Sequence, residues 1–131
     1  MARITRIVVP QYPHHIIQRG NRRQKVFFQD SAYESYLKFL KEYSMKYNLS
    51  IVSYCLMPNH VHLIAIPEEE NSLALGIGET HRNYTRMIHF RKNWKGYFWQ
   101  GRFSSYVLDD AYLYNVVKYI LLNPVKAKDV K

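Results

Sequence analysis

The chain of 131 residues has a single cysteine, Cys55, so no disulfide can form within it, and a reducing, cytoplasmic setting is expected. Cys55 lies in the apolar run "IVSYCLM" and reads as a small core residue rather than a nucleophile. No apolar stretch approaches the length needed to cross a bilayer, so no membrane association is expected. The start, "MARITRIVVPQYP", is basic and then briefly apolar, without the longer apolar core and small-residue cleavage site of a secretory signal. No repeat, low-complexity tract or Gly/Ser/Pro linker divides the sequence, which favours one domain over 1–131. A Walker loop is also missing, so nothing points to nucleotide hydrolysis.

Acidic residues are scarce as well. Ten Asp and Glu face nineteen Lys and Arg, giving a net charge of +9 and a pI near 9.7. Much of the excess falls in "QRGNRRQK" (18–25), "HRNYTRMIHFRKNWK" (81–95) and "KAKDVK" (126–131). Aromatics are interleaved with it: Tyr84, Phe90, Trp94, Tyr97, Phe98 and Trp99. Cations neutralise phosphates and exposed rings give unstacked bases a face, so nucleic acid is the expected partner class.

The pattern predicts β-α-β-β-α-β-α. "HHIIQRG" (14–20) reads as a strand, and a short extended piece is expected near Val26–Phe28. Ser31 is placed as an N-cap with Glu34 completing a capping box. Tyr33, Tyr36, Leu37, Leu40, Tyr43 and Tyr47 then recur at helical spacing to about Asn48. "SIVSYCLM" (50–57), a Pro58-Asn59 turn and "HVHLIAI" (60–66) form a hairpin. Asn71 or Ser72 caps a helix to about Asn93, its first turns weakened by Gly76 and Gly78. A strand over 104–108 follows, and Asp109 caps a last helix, 111–122, stopped by Pro124. This is an α+β fold: a ferredoxin-like split βαβ antiparallel sheet with an added C-terminal helix carrying Tyr119.

The stretch "PNHVHLIAI" carries the sharpest chemical signal. Residues i and i+2 of a strand share a face, so His60 and His62 project together, roughly 6–7 Å apart at their backbones. Two imidazoles so placed can converge on one divalent ion, although His-x-His also arises by chance on a solvated face. A working metal needs a further ligand and open positions. In "KYILLNP", Tyr119 and Asn123 stand four apart on one expected helix face; the amide oxygen is a competent hard ligand and the phenol a possible nucleophile toward phosphorus. Asn123 precedes proline, which leaves its direction open, and Tyr119 is one of twelve tyrosines, most of which bury a ring.

Together "PNHVHLI", "IIQRGNRRQKVFF", "HRNYTR", "FWQGRF" and "DDAYLYNVVKYILLNPVKA" resemble the REP-associated tyrosine transposases and their insertion-sequence relatives, the single-tyrosine branch of the HUH endonucleases. The similarity spans about residues 12 to 128. It implies the ferredoxin-like fold. It also implies metal-dependent cleavage and strand transfer of single-stranded DNA beside a hairpin, through a 5′-phosphotyrosine and a free 3′-hydroxyl. Carried over by residue, it makes Tyr119 the nucleophile, His60 and His62 metal ligands, and Asn123 the third ligand where some relatives have glutamine. His and amide-oxygen ligation suits Mg²⁺ or Mn²⁺ better than a structural zinc. Arg19, Asn21, Arg22 and Arg23 correspond to the region that helps read a guide sequence in the family. Arg82, Arg86, Arg91, Lys92 and Lys95 are expected to track a hairpin stem by phosphate contacts. Trp99, Gln100 and Arg102 are open between packing and DNA contact. Some relatives are dimers, so a homodimer is possible, and a chain ending twelve residues past Tyr119 leaves little room for the extension some of them carry. Two other classes compete: a domesticated, non-catalytic binder of structured single-stranded DNA or RNA, and a basic ferredoxin-like RNA-binding protein, which the missing RNP pattern disfavours.

Overall fold

A computed structural model of the chain describes residues 6–109, so the expected helix over 111–122, with Tyr119 and Asn123, lies outside the described residues. The elements run β1 (His14–Arg19), α1 (Asp30–Lys46), β2 (Leu49–Met57), β3 (His60–Pro67), α2 (Ser72–Lys92) and β4 (Ser104–Val107). They form a four-stranded sheet of order β2-β3-β1-β4, with β1 antiparallel to β3 and β4, and β2 antiparallel to β3. Such an order places β3 between β1 and β2, as the split βαβ arrangement requires.

Strand alternation sorts the sheet into two faces. Ile16, Val61, Leu63 and Ala65 share the main core with Tyr36 and Leu40 of α1 and Leu73, Ile77, Tyr84 and Ile88 of α2. The opposite face carries a smaller apolar cluster of Cys55, Ile64 and Leu108, with Met57 packed against it. Cys55 is fully buried there, in keeping with its reading as a core residue.

Several local expectations are corrected. α1 begins at Asp30 after Gln29, and no side chain caps it, so Ser31 and Glu34 lie within its first turns rather than forming a capping box. Val26 and Phe27 do not extend a strand. Val26 N–H donates to the Pro58 carbonyl and both side chains are buried, so the segment plugs the core beneath the β2–β3 turn. Asn48 adopts φ 58°, a left-handed conformation asparagine tolerates, and turns the chain into β2. β2 also holds an irregularity between Ile51 and Ser53. Gly76 has a packing role: a Cβ there would sit 3.0 Å from Leu49 Cδ2 and 3.6 Å from the Tyr43 carbonyl oxygen. The glycine lets α2 approach α1 and β2, at a modest cost in helix propensity.

Candidate nuclease site

The face opposite the helices carries the histidines. β1 and β3 pair with Arg19 opposite His60, Ile17 opposite His62 and His15 opposite Ile64. Direct cross-strand partners share a face, so His15, Ile17, Arg19, His60, His62 and Ile64 all project together. His60 and His62 stand with ring centroids 4.9 Å apart and planes at 83°. His60 is half-buried and His62 is buried. β2 adds Cys55 opposite His62 and Met57 opposite His60, which places an apolar flank beside the pair.

Each imidazole is held at its Nδ1. His60 Nδ1 lies 2.7 Å from Asn59 Oδ1, and since that oxygen only accepts, His60 donates. His62 Nδ1 lies 3.1 Å from Nε2 of His15, whose ring stacks beside it at 5.3 Å and 19°. Burial lowers the His60 pKa, and the Arg19 charge lowers it further. His62 is pushed down to about 4 by burial and then by His60, His15 and Arg19. Both rings are therefore neutral near pH 7, the state a metal ligand requires. The two neutral imidazoles fit a divalent ion as donors. Among the described residues no group of three or more His, Cys, Asp or Glu could hold one alone, so a further ligand has to come from another donor type or from outside them.

His15 was not singled out in the sequence. Its i, i+2, i+4 relation to Ile17 and Arg19 gave its face, but the strand register that brings it to His62 is not readable from one strand. Its neighbour His14 points to the other face, where its Nδ1–H donates to the Tyr12 carbonyl and its Nε2 accepts from Val9 N–H; it is a structural histidine.

The basic residues divide into two groups. Arg19 stands beside His60, and the chain then turns through Asn21–Arg23, where Arg22 and Arg23 take φ of 55° and 61°. This turn is tied to the aromatic loop: Asn21 N–H donates to the Phe98 carbonyl, Gln24 Nε2 donates to the same oxygen, and Gln100 N–H donates to the Arg19 carbonyl. Arg19, Arg22 and Arg23 are exposed at the His60 end of the sheet. Arg82, Arg86, Arg91, Lys92 and Lys95 are exposed too, but on α2 and the residues just after it, behind the sheet from the histidines. Arg82 pairs with Glu79 at 2.9 Å, and Lys92 lies over the Phe28 ring at 4.7 Å.

The aromatic set also divides. Phe90 and Tyr97 are 88% and 86% exposed, so they present ring faces to solvent. Tyr84 and Phe98 do not: both are buried, and Tyr84 O–H donates to the Val26 carbonyl. Trp99 packs on His81, centroids 4.6 Å apart, and forms an isolated bridge with Gly20. It supports the loop under β1 rather than offering a stacking face. Arg102 lines a cleft of about 480 Å³ with Arg6, Gln18, His81, Arg82 and Trp99. Among the described residues no helix is long and apolar enough to cross a membrane.

Comparison with known proteins agrees with this architecture. A solved REP-associated tyrosine transposase bound to a REP hairpin superposes with a TM-score of 0.70 at 20% identity, covering 97% of this chain and 74% of that one. A transposase structure from Deinococcus radiodurans gives 0.61 at 19% identity, covering 92% and 96%. At those identities the likeness speaks for the fold. In sequence, a Haemophilus influenzae protein named as a REP-associated tyrosine transposase is 34% identical over 91 residues, 61% of this chain. The match takes in about half of that relative's length, 52%. The family model described as "Transposase IS200 like" matches residues 8–123, and the chain belongs to that transposase family.

Proposed function

We propose that this chain cleaves and rejoins single-stranded DNA beside a hairpin, with Tyr119 as nucleophile and a divalent ion, Mg²⁺ or Mn²⁺, held by His60, His62 and Asn123. The observation that carries the reading is the pair of neutral imidazoles, each fixed at Nδ1, next to the Arg19 cation on the open sheet face. A solved structural neighbour bound to a REP hairpin supports the substrate class. A bound ion would polarise a non-bridging phosphate oxygen and neutralise the charge that grows there.

The chain's own part is as follows. The Tyr119 phenol loses its proton and its oxygen attacks phosphorus, forming a tyrosyl O–P bond. The P–O3′ bond breaks, and the departing oxygen takes up a proton as a free 3′-hydroxyl. The phosphotyrosyl ester keeps the energy of the broken bond, so another 3′-hydroxyl can reverse the step without ATP. Arg19, Arg22 and Arg23 hold the strand's phosphates at the site, and the α2 cations hold a stem. A cytoplasmic setting accords with the single cysteine.

The deciding experiment traps the covalent adduct on hairpin oligonucleotides labelled at either end. Label on the fragment 3′ of the cut should follow the protein through denaturing electrophoresis, in Mg²⁺ or Mn²⁺ and not in chelator. Hairpin binding with no adduct in either metal would favour the non-catalytic binder.

A further inference from the structure

The contact between His15 and His62 constrains more than ring position. A neutral imidazole has one N–H and one lone pair. The two nitrogens that meet, His15 Nε2 and His62 Nδ1, are 3.1 Å apart, so a single proton lies between them. If His15 donated it, His62 would carry its own proton on Nε2 and that nitrogen could not ligate. If His62 donates, its Nε2 keeps the lone pair. Asn59 gives the internal parallel: its Oδ1 can only accept, so His60 is already in the Nδ1–H form.

We propose that His15 is a positioning residue, accepting a hydrogen bond from His62 Nδ1 and so holding His62 in the tautomer whose Nε2 is the metal-binding atom. The inference rests on the reading of His60 and His62 as ligands. His15 acts through His62 and not on the ion, because it meets the Nδ1 side of that ring and the three histidines do not form a group able to hold a metal. The stacking of the two rings, with planes within 19°, also fixes the direction of His62 about its own χ angles. Outer-shell partners that orient a ligating histidine typically change metal affinity 10–100-fold when removed.

Two measurements test this. Long-range proton–nitrogen correlation spectra of the metal-free protein, labelled at histidine and held at about pH 7.5 where His62 is neutral, report the tautomer of each ring. His62 is expected as Nδ1–H, matching His60; His62 as Nε2–H overturns the proposal. Mn²⁺ titration calorimetry then compares the natural sequence with His15→Phe and His15→Gln. Phe keeps the ring and removes the acceptor, so affinity should fall about 10–100-fold. Gln supplies an acceptor near the same place and should recover most of that loss. Equal Mn²⁺ affinity in the natural sequence and His15→Phe overturns the role of His15 while leaving the metal site standing. No Mn²⁺ uptake by the natural sequence overturns the metal site itself. Should His15→Phe fail to fold, the tautomer spectrum of the natural sequence decides alone.

Discussion

Arg19 and His60 are direct cross-strand partners, the last pair of β1 with the first of β3, and their side chains leave the same face of the sheet. The guanidinium lowers the pKa of both His60 and His62. It therefore helps keep the imidazoles unprotonated. Arg19→Gln should weaken single-stranded DNA binding and flatten its salt dependence. One lost phosphate contact reduces the slope of log affinity against log salt by about 0.7 for a single strand. Fluorescence anisotropy across a salt series measures it, and an unchanged slope would place Arg19 away from the DNA.

His60→Ala and His62→Ala separate chemistry from binding. The histidines lie on the sheet face, while most of the candidate DNA-binding cations stand on α2 and the residues after it. Either variant should lose metal-dependent cleavage by at least about 100-fold, taking the several kcal/mol of charge stabilisation a metal supplies. Hairpin affinity should stay within a few-fold. Normal cleavage by the double variant in excess Mg²⁺ would remove the metal from the mechanism.

Two glycines of α2, Gly76 and Gly78, stand in very different surroundings and give a stability test. At Gly78 of α2 a Cβ would meet nothing within 4 Å, so Gly78→Ala should stabilise the fold by about 0.5–1 kcal/mol through helix propensity and chain entropy. At Gly76 a Cβ already reaches 3.0 Å from the buried Leu49, so Gly76→Val should destabilise by about 1–3 kcal/mol. Denaturant melts read both, and the reverse order would mean that α2 sits differently on β2.

The same contrast shows what the sequence discloses. Hydrophobic spacing along α1 and the hairpin at Pro58-Asn59 gave the element order, because helix and strand periods are local properties. His60 and His62 were legible for the same reason: two residues apart on one strand, they must share a face. His15 was not, since its meeting with His62 depends on the register of β1 against β3. Tyr84 and Phe98 looked like stacking faces because basic residues surround them in the chain. The helix turns Tyr84 inward to the Val26 carbonyl, and only the fold decides which rings in a mixed run reach solvent. The role of Gly76 was hidden likewise, because a glycine that admits a neighbour and one that only loosens a helix look alike in sequence.

Acid stability should be governed in part by His81. It is buried, its Nε2 lies in hydrogen-bond contact with the Tyr36 hydroxyl at 2.8 Å, and burial pushes its pKa down to about 3. The unfolded chain protonates this ring near its ordinary value of 6.5, so between the two values the unfolded state binds the extra proton. The contribution is thus fully present above about pH 6.5 and is lost as pH falls toward 3, on the order of 1 kcal/mol per pH unit. His81→Gln keeps a hydrogen-bonding partner for Tyr36 and removes the titration. Thermal melts from pH 7 to pH 4 should fall less steeply for the variant, and parallel curves would assign the acid sensitivity to other groups.

The final prediction concerns Tyr119, which lies outside the described residues. Phenylalanine keeps the ring and removes the one atom proposed to attack phosphorus. Tyr119→Phe should fold, bind Mn²⁺ and bind hairpin DNA within a few-fold of the natural sequence, yet form no covalent adduct. Tyr112 and Tyr114 are internal controls. If 111–122 is helical, residue 112 is about two turns back, roughly 10 Å from Tyr119 along the axis, and residue 114 is rotated well off its face. Their Phe variants should keep the adduct. Mixing Tyr119→Phe with His60→Ala then asks where one complete site is built. A site that takes its tyrosine from a second copy can form in the mixture, from an intact tyrosine of one chain and intact histidines of the other, and adduct should reappear. Unfolding the variants together before refolding them allows subunits to exchange, so absence of rescue after that treatment means that histidines and tyrosine come from one chain. Adduct from Tyr119→Phe alone at the natural yield would mean that another residue is the nucleophile.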